Sequence, residues 1–103
     1  VLMLNASLTV REGRAGSHMK YWLPLTRYII QHLKQNNNQC LFIAWGAFAH
    51  KQLVDANVEE EKMIVSSHPS PLSANKTYKE YPPFLGSKPF SKINSLLKEP
   101  IDW

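Results

Sequence analysis

Continuous apolar runs occur three times along the chain, at residues 1–4, at 40–45, and at 63–65 inside the segment 62–66. Short runs without polar alternation are typical of strands buried on both faces of a sheet. Apolar positions recur at helical spacing in residues 21–34, 47–54 and 90–97. This alternation of strand and helix predicts an α/β domain with a parallel sheet and right-handed crossovers.

Polar or glycine residues follow each predicted strand. They are Asn5, the pair Gly46-Ala47, and the triplet His68-Pro69-Ser70. Ligands of open parallel sheets collect outside the carboxyl ends of the strands. The sequence therefore predicts that the three strand ends meet at one edge of the domain and form a site there.

The loop SSHPSPLS at residues 66–73 carries the most chemistry. Pro69 and Pro71 fix φ and bias the residues before them toward extended backbone, so the loop is stiff and holds its side chains in place. His68 is either a ligand-binding group or a structural histidine. Leu72 either tucks into the core or enters a stack of bases.

The other strand ends have two interpretations each. Asn5 is either a turn residue or an amide that matches one base edge, since a fixed amide offers one acceptor and one donor group. Gly46 and Ala47 form either a plain strand-to-helix turn or a pair of backbone amides that hold a phosphate at a helix N-terminus.

Composition indicates one small packed domain, with 103 residues of which 44% are hydrophobic. The net charge of +4 fits a polyanionic partner and is also common among ordinary proteins. Cys40 lies in an apolar run and is expected to pack rather than react. No apolar run is long enough for a membrane span, and the start lacks a signal peptide, so we expect an intracellular protein.

A group of lysines interleaved with aromatic residues follows the loop. It is either a DNA-facing surface or a solvated loop with a few core anchors. Its members are Lys76, Lys79, Lys88 and Lys92, with Tyr78, Tyr81 and Phe84 among them.

Six segments in order give the chain a resemblance to the C-terminal part of uracil-DNA glycosylases. The segments are VLMLNASLTV at 1–10, SH at 17–18, WGAFA at 45–49, HPSPLS at 68–73, FSK at 90–92 and EPIDW at 99–103. The resemblance implies a three-layer α/β/α fold with a central parallel sheet. Residues 1–103 are then a single partial domain, which fits a chain that opens inside an apolar run.

The same resemblance implies roles for individual residues. Asn5 would read the Watson–Crick edge of a flipped uracil, and His68 would donate a hydrogen bond to its O2 and act in catalysis. Leu72 would fill the gap in the stack. The remaining DNA-binding residues would be Gly46, Ala47, Pro69, Ser70, Pro71, Ser73 and Lys76. No metal or organic cofactor is implied.

The implied partner is uracil-containing DNA, single- or double-stranded, bound by a monomer that does not associate with membranes. The implied compartment is the nucleus for a eukaryotic or viral protein and the cytoplasm for a bacterial one. The implied activity is hydrolysis of the N-glycosidic bond of deoxyuridine in base excision repair.

The chain departs from the family at several points. The water-activating motif Gly-Gln-Asp-Pro-Tyr-His does not occur in it, so these residues alone are expected to be inactive or very weak. The family's Gly-Ser after the second strand is Gly46-Ala47, Lys76 stands where arginine is common, and the stretch from Ser73 to Gly86 is longer than usual. The alternative function is a non-catalytic DNA-binding or polymerase-processivity module on the same fold.

Overall fold

The computed structural model describes all residues from 1 to 103. Its elements, in chain order, are helix α1 (Met19–Asn36), strand β1 (Phe42–Trp45), helix α2 (Ala47–Asp55), strand β2 (Met63–Ser66) and helix α3 (Pro89–Leu96). One turn of 3-10 helix, Glu60–Lys62, leads into β2. The ends of the three helices, and of the predicted second and third strands, lie within two residues of the positions that the sequence pattern predicts.

The sheet consists of β1 and β2, which run parallel and are connected through α2. Phe42 pairs with Met63 and Trp45 with Ser66, so the two strands end level with each other. This confirms the predicted α/β order. It also places the residues after β1 and after β2 at the same edge of the sheet.

The predicted first strand does not form. Residues 1–4 have no secondary structure, and Val1 and Met3 are 86% and 83% exposed. A strand needs a hydrogen-bonded neighbour, and the only pairing that β1 makes is with β2. Continuous hydrophobicity therefore marks this segment as suited to burial, but no strand lies beside it.

The segment after residue 4 is tied to α1 instead. The Thr26 hydroxyl donates to the carbonyl of Ala6 at 2.9 Å. The indole of Trp22 donates to the Thr9 hydroxyl at 2.8 Å, and that hydroxyl lies 2.9 Å from Nδ1 of His18. These contacts fix the course of the chain just after Asn5.

The core is small and lies between the sheet and the helices. It is formed by Ile30, Ala44, Leu53, Ala56, Val58 and Val65, with Tyr78 and Tyr81 among the half-buried residues that pack against it. The last residues fold back onto α3, where Asn94 bonds the backbone of Ile101 and Phe90 lies 4.7 Å from Trp103 between ring centroids. None of the helices combines the length and the apolar character that crossing a bilayer requires.

Candidate functional site

The level ends of β1 and β2 bring Gly46 beside His68. The Gly46 amide donates to the carbonyl of Ser66 at 2.9 Å, which extends the sheet by one bond. Gly46 has φ +93° and ψ 167°, a region that is essentially restricted to glycine. A Cβ on Gly46 would lie 3.2 Å from the Cβ of His68, so the absence of a side chain allows this close approach.

Helix α2 begins directly at this edge, with Ala47 as its first residue and exposed. The first amides of a helix have no partner within the helix and can bind an anion. The Gly46 amide is already committed to Ser66, so the free donors at this end begin at Ala47. Phosphate binding here stays a prediction for Ala47, while the glycine contributes space rather than a donor.

His68 is exposed, and one of its ring nitrogens is already occupied. The backbone amide of Ser70 donates to Nδ1 at 3.0 Å. An N–H donor requires an unprotonated acceptor, so in the neutral imidazole the proton lies on Nε2. This contact makes Nε2 of the neutral His68 imidazole a hydrogen-bond donor.

Hydrogen bonds within the loop hold His68 from the backbone side. The Ser73 hydroxyl donates to the carbonyl of His68 at 3.0 Å, and the hydroxyl oxygens of Ser70 and Ser73 are 3.2 Å apart. Since Ser73 uses its one proton on the carbonyl, Ser70 is the donor of the second contact. Binding a phosphate with either hydroxyl thus exchanges an internal hydrogen bond for an external one.

Leu72 projects from the same loop and is 83% exposed. The interpretation that it tucks into the core is therefore wrong. Pro71 beside it is exposed and Pro69 is half-buried, so the loop packs on the domain at Pro69 and faces solvent at Pro71. A branched apolar side chain held outward on a stiff loop has the form of a wedge for a base stack.

The aromatic residues after the loop are core anchors, not an outward stacking surface. The rings of Tyr78 and Tyr81 stack 5.7 Å apart, and both lie against His50, whose Nδ1 is 2.9 Å from the Tyr78 hydroxyl. Phe84 packs edge-on against Trp45 at 5.4 Å. The lysines of this segment, Lys76 included, are exposed, so its outer surface is basic.

Asn5 is the predicted site residue that the structure does not join to the others. Its side chain is exposed, and no hydrogen bond links it to the His68 loop. Its strand is missing, and the backbone position of Asn5 depends on that strand. The convergence of three strand ends is therefore found for two of them.

The remaining ionisable groups do not form a second centre. No group of three or more His, Cys, Asp or Glu side chains has the geometry to hold a metal ion. Burial raises the pKa of the Cys40 thiol, and the nearby Lys62 only partly opposes this, so the thiol stays protonated at neutral pH. Asp55 lies at the far end of α2, 2.6 Å from Lys51 and 3.6 Å from Arg27.

Ser67 is a residue of this site that sequence reasoning missed. It is buried between β2 and His68, and its hydroxyl contacts Ser73 and Phe84. The sequence shows only that two serines precede the histidine, which does not indicate that the second one is buried and bonded. The partner seventeen positions away has no local signal.

Comparison with known proteins gives one consistent result. The sequence model of the uracil DNA glycosylase superfamily matches residues 1–98. Uracil-DNA glycosylases of Leuconostoc mesenteroides and Streptococcus thermophilus are each 44% identical over 108 aligned residues; they cover all of this chain, which spans 46% and 47% of their lengths. The chain thus spans about half the length of these curated relatives.

Solved structures agree on the fold. Mimivirus uracil-DNA glycosylase matches with a TM-score of 0.69 and 36% identity, over 87% of this chain and 36% of that one. A variant of mimivirus UNG in complex with UGI matches with a TM-score of 0.70 and 37% identity, over 85% and 38%.

Proposed function

Because the chain belongs to the uracil DNA glycosylase superfamily, we propose that it supplies uracil recognition and strand insertion in an enzyme that releases uracil from DNA. The reaction is hydrolysis of the N-glycosidic bond of a flipped-out deoxyuridine. The observation that carries the proposal is the hydrogen bond from the Ser70 amide to Nδ1 of His68, which leaves a proton on Nε2.

His68 acts on the charge that develops as the bond breaks. The sugar becomes oxocarbenium-like, and the departing uracil takes the electron pair as an anion whose charge reaches O2. A neutral imidazole that already presents Nε2–H donates to that oxygen without reorganising, so its stabilisation is greatest in the transition state. Removal of one such donor costs about 10²- to 10³-fold in rate.

Asn5 identifies the base. Its amide donates to the O4 acceptor of uracil and accepts from the N3–H, an order that cytosine reverses. A buried polar group left unsatisfied costs about 1–3 kcal/mol, which is enough to reject the wrong base. Asn5 is exposed in this chain, so the fit requires the base-binding pocket to close around it.

Leu72 and the loop hydroxyls offset the free-energy cost of base flipping. Unstacking a nucleotide costs a few kcal/mol, and Leu72 recovers part of this by filling the gap. Ser70, Ser73 and the Ala47 amide bind the flanking phosphates, and exposed Lys76 adds electrostatic attraction. These contacts position the DNA and leave base selection to Asn5.

The attacking water is activated by a residue outside this chain. Asp55 is held by Lys51 and Arg27 at the end of α2 that lies away from Gly46 and His68, so it does not fill that role. We propose that the aspartate of the family's water-activating motif fills it.

The test uses the 103-residue chain alone and joined to the upstream half of the Leuconostoc mesenteroides relative. Uracil release is measured from an oligonucleotide with a single uracil, with a thymine oligonucleotide as substrate control. We expect release by the joined protein and little or none by the chain alone.

His68→Leu in the joined protein should lower the single-turnover rate about 10²- to 10³-fold and leave the affinity for DNA unchanged. His32→Leu, a change at an exposed histidine of α1, is the matched control and should have no effect. Retained DNA binding without any release would instead support the non-catalytic DNA-binding module.

A further inference from the structure

A buried serine hydroxyl connects three separate segments directly beside His68. Ser67 is 3% exposed. Its hydroxyl donates to the carbonyl of Ser73 at 2.8 Å and accepts from the amide of Phe84 at 2.9 Å. Its own amide donates to the carbonyl of Pro82 at 3.2 Å. The end of β2, the end of the proline loop and the segment 82–84 therefore meet at one side chain.

We propose that Ser67 is a positioning residue for His68. The inference rests on the proposed function and adds to it a residue that sets the orientation of the catalytic imidazole without touching the substrate. The Ser67 hydroxyl bridges Ser73 and Phe84, and we call these two hydrogen bonds the Ser67 clasp.

The clasp acts on His68 through Ser73. The Ser73 carbonyl is held by Ser67, and the Ser73 hydroxyl holds the carbonyl of His68 at 3.0 Å. The turn between them keeps Ser70 in place, since the amides of Ser73 and Ala74 both donate to the Ser70 carbonyl. Ser70 in turn fixes the imidazole through Nδ1. Release of Ser73 therefore loosens both contacts that orient the ring.

The clasp also reaches His68 through the end of β1. Phe84, held by its amide, packs against Trp45, and Trp45 precedes Gly46, whose missing side chain leaves room for His68. A buried hydroxyl that both donates and accepts a hydrogen bond rigidifies its surroundings, because movement of either partner leaves a polar group unpaired. The Ser67 hydroxyl thus connects to His68 by two routes, through Ser73 in the loop and through Phe84, Trp45 and Gly46.

Ser66 provides a matched control. It is 2% exposed and directly precedes Ser67. Its hydroxyl donates only to the backbone carbonyl of Ser67, at 3.0 Å, and makes no hydrogen bond with the Ser67 hydroxyl. Replacing it with alanine removes an equally buried hydroxyl that joins no separate segments. A purely structural role for buried serines at this position would make the two alanine variants alike.

The first measurement uses the 103-residue chain. Imidazole ¹⁵N chemical shifts report which His68 nitrogen carries the proton, and amide hydrogen exchange reports the Phe84 hydrogen bond. In Ser67→Ala we expect the Phe84 amide to exchange about tenfold faster, the effect of losing one hydrogen bond. We also expect the His68 shifts to move toward a mixture of tautomers, with no change of either kind in Ser66→Ala.

The second measurement uses the protein joined to its relative's upstream half. Ser67→Ala should lower kcat about tenfold with KM for uracil-containing DNA unchanged, since small misplacements of a catalytic group act on the chemical step. Ser67→Cys keeps the shape of the side chain with a weaker hydrogen-bonding group, and it serves if the alanine variant does not fold.

Two results would overturn the proposed role of Ser67 in positioning His68. One is a His68 tautomer signature in Ser67→Ala or Ser67→Cys that is the same as in the unaltered chain. The other is an equal loss of kcat in Ser66→Ala, or a loss confined to KM. If the joined protein with Ser67 intact releases no uracil, the proposed function has failed, and the ¹⁵N comparison alone decides on the clasp.

Discussion

Gly46→Ala tests whether the contact between the strand end and His68 sets the geometry of the site. The substitution places a side chain on backbone with φ +93° and ψ 167°. Strain of this kind costs about 1–3 kcal/mol for a residue other than glycine. The new methyl also meets the His68 Cβ at 3.2 Å and its Cδ2 at 3.7 Å.

The size of the effect on catalysis follows from that contact. Carbon atoms pack best at about 3.5–4.0 Å, so relief of the 3.2 Å contact moves His68 by about 0.3–0.8 Å. Misplacement by about 1 Å costs about 10²-fold in rate, so a shift of this size corresponds to about fourfold to fortyfold. Gly46→Ala is therefore expected to lose about 1–3 kcal/mol of stability and about one order of magnitude in single-turnover rate.

Gly86→Ala separates strain from displacement. Gly86 has φ +86°, and a Cβ there would meet no atom within 4 Å. Urea unfolding should show a loss of stability for both variants, whereas uracil release by the joined protein should fall only for Gly46→Ala. If the two variants lose the same activity at equal fraction folded, the contact with His68 does not set the site geometry.

Three further changes probe other parts of the molecule. Leu72→Ala should leave the free energy of unfolding within about 0.5 kcal/mol, because the side chain is 83% exposed, while binding to uracil-containing duplex weakens more than binding to single strands, as measured by fluorescence anisotropy. Asn94→Ala should cost about 1–3 kcal/mol in urea unfolding, since the amide bonds both the N–H and the carbonyl of Ile101, at 2.9 and 3.0 Å. The hydrogen bond from Lys51 lowers the pKa of Asp55 in the folded protein. The stability that this bond contributes is therefore present above the pKa of the unfolded carboxyl group and is lost as pH falls through the lower pKa of the folded state. In Lys51→Met, the free energy of unfolding should depend less on pH below about pH 4.

Most of the secondary structure could be predicted from the sequence. Helical periodicity located α1 and α2, and the apolar runs at 40–45 and 62–66 became β1 and β2. These signals are local, because apolar spacing reflects which face of an element is buried. The stiffness of the His68 loop could also be predicted, because prolines restrict their own backbone and that of the preceding residue wherever they occur.

The tertiary structure decided what depends on partners distant in sequence. Residues 1–4 are as apolar as β1, yet they form no strand, because strand formation requires a neighbouring strand to accept and donate hydrogen bonds. Tyr78 and Tyr81 sit among lysines in sequence but pack on His50, which lies about 30 residues earlier.

The site shows the same division. The sequence determined that a histidine, two prolines and a leucine follow a predicted strand. Only the folded chain decided that the Ser70 amide takes Nδ1, that Gly46 leaves space beside the ring, and that Ser67 reaches Phe84. Residue type fixes which atoms can donate or accept, but the proton on His68 lies where the surrounding hydrogen bonds place it, and those bonds exist only once distant segments have packed together.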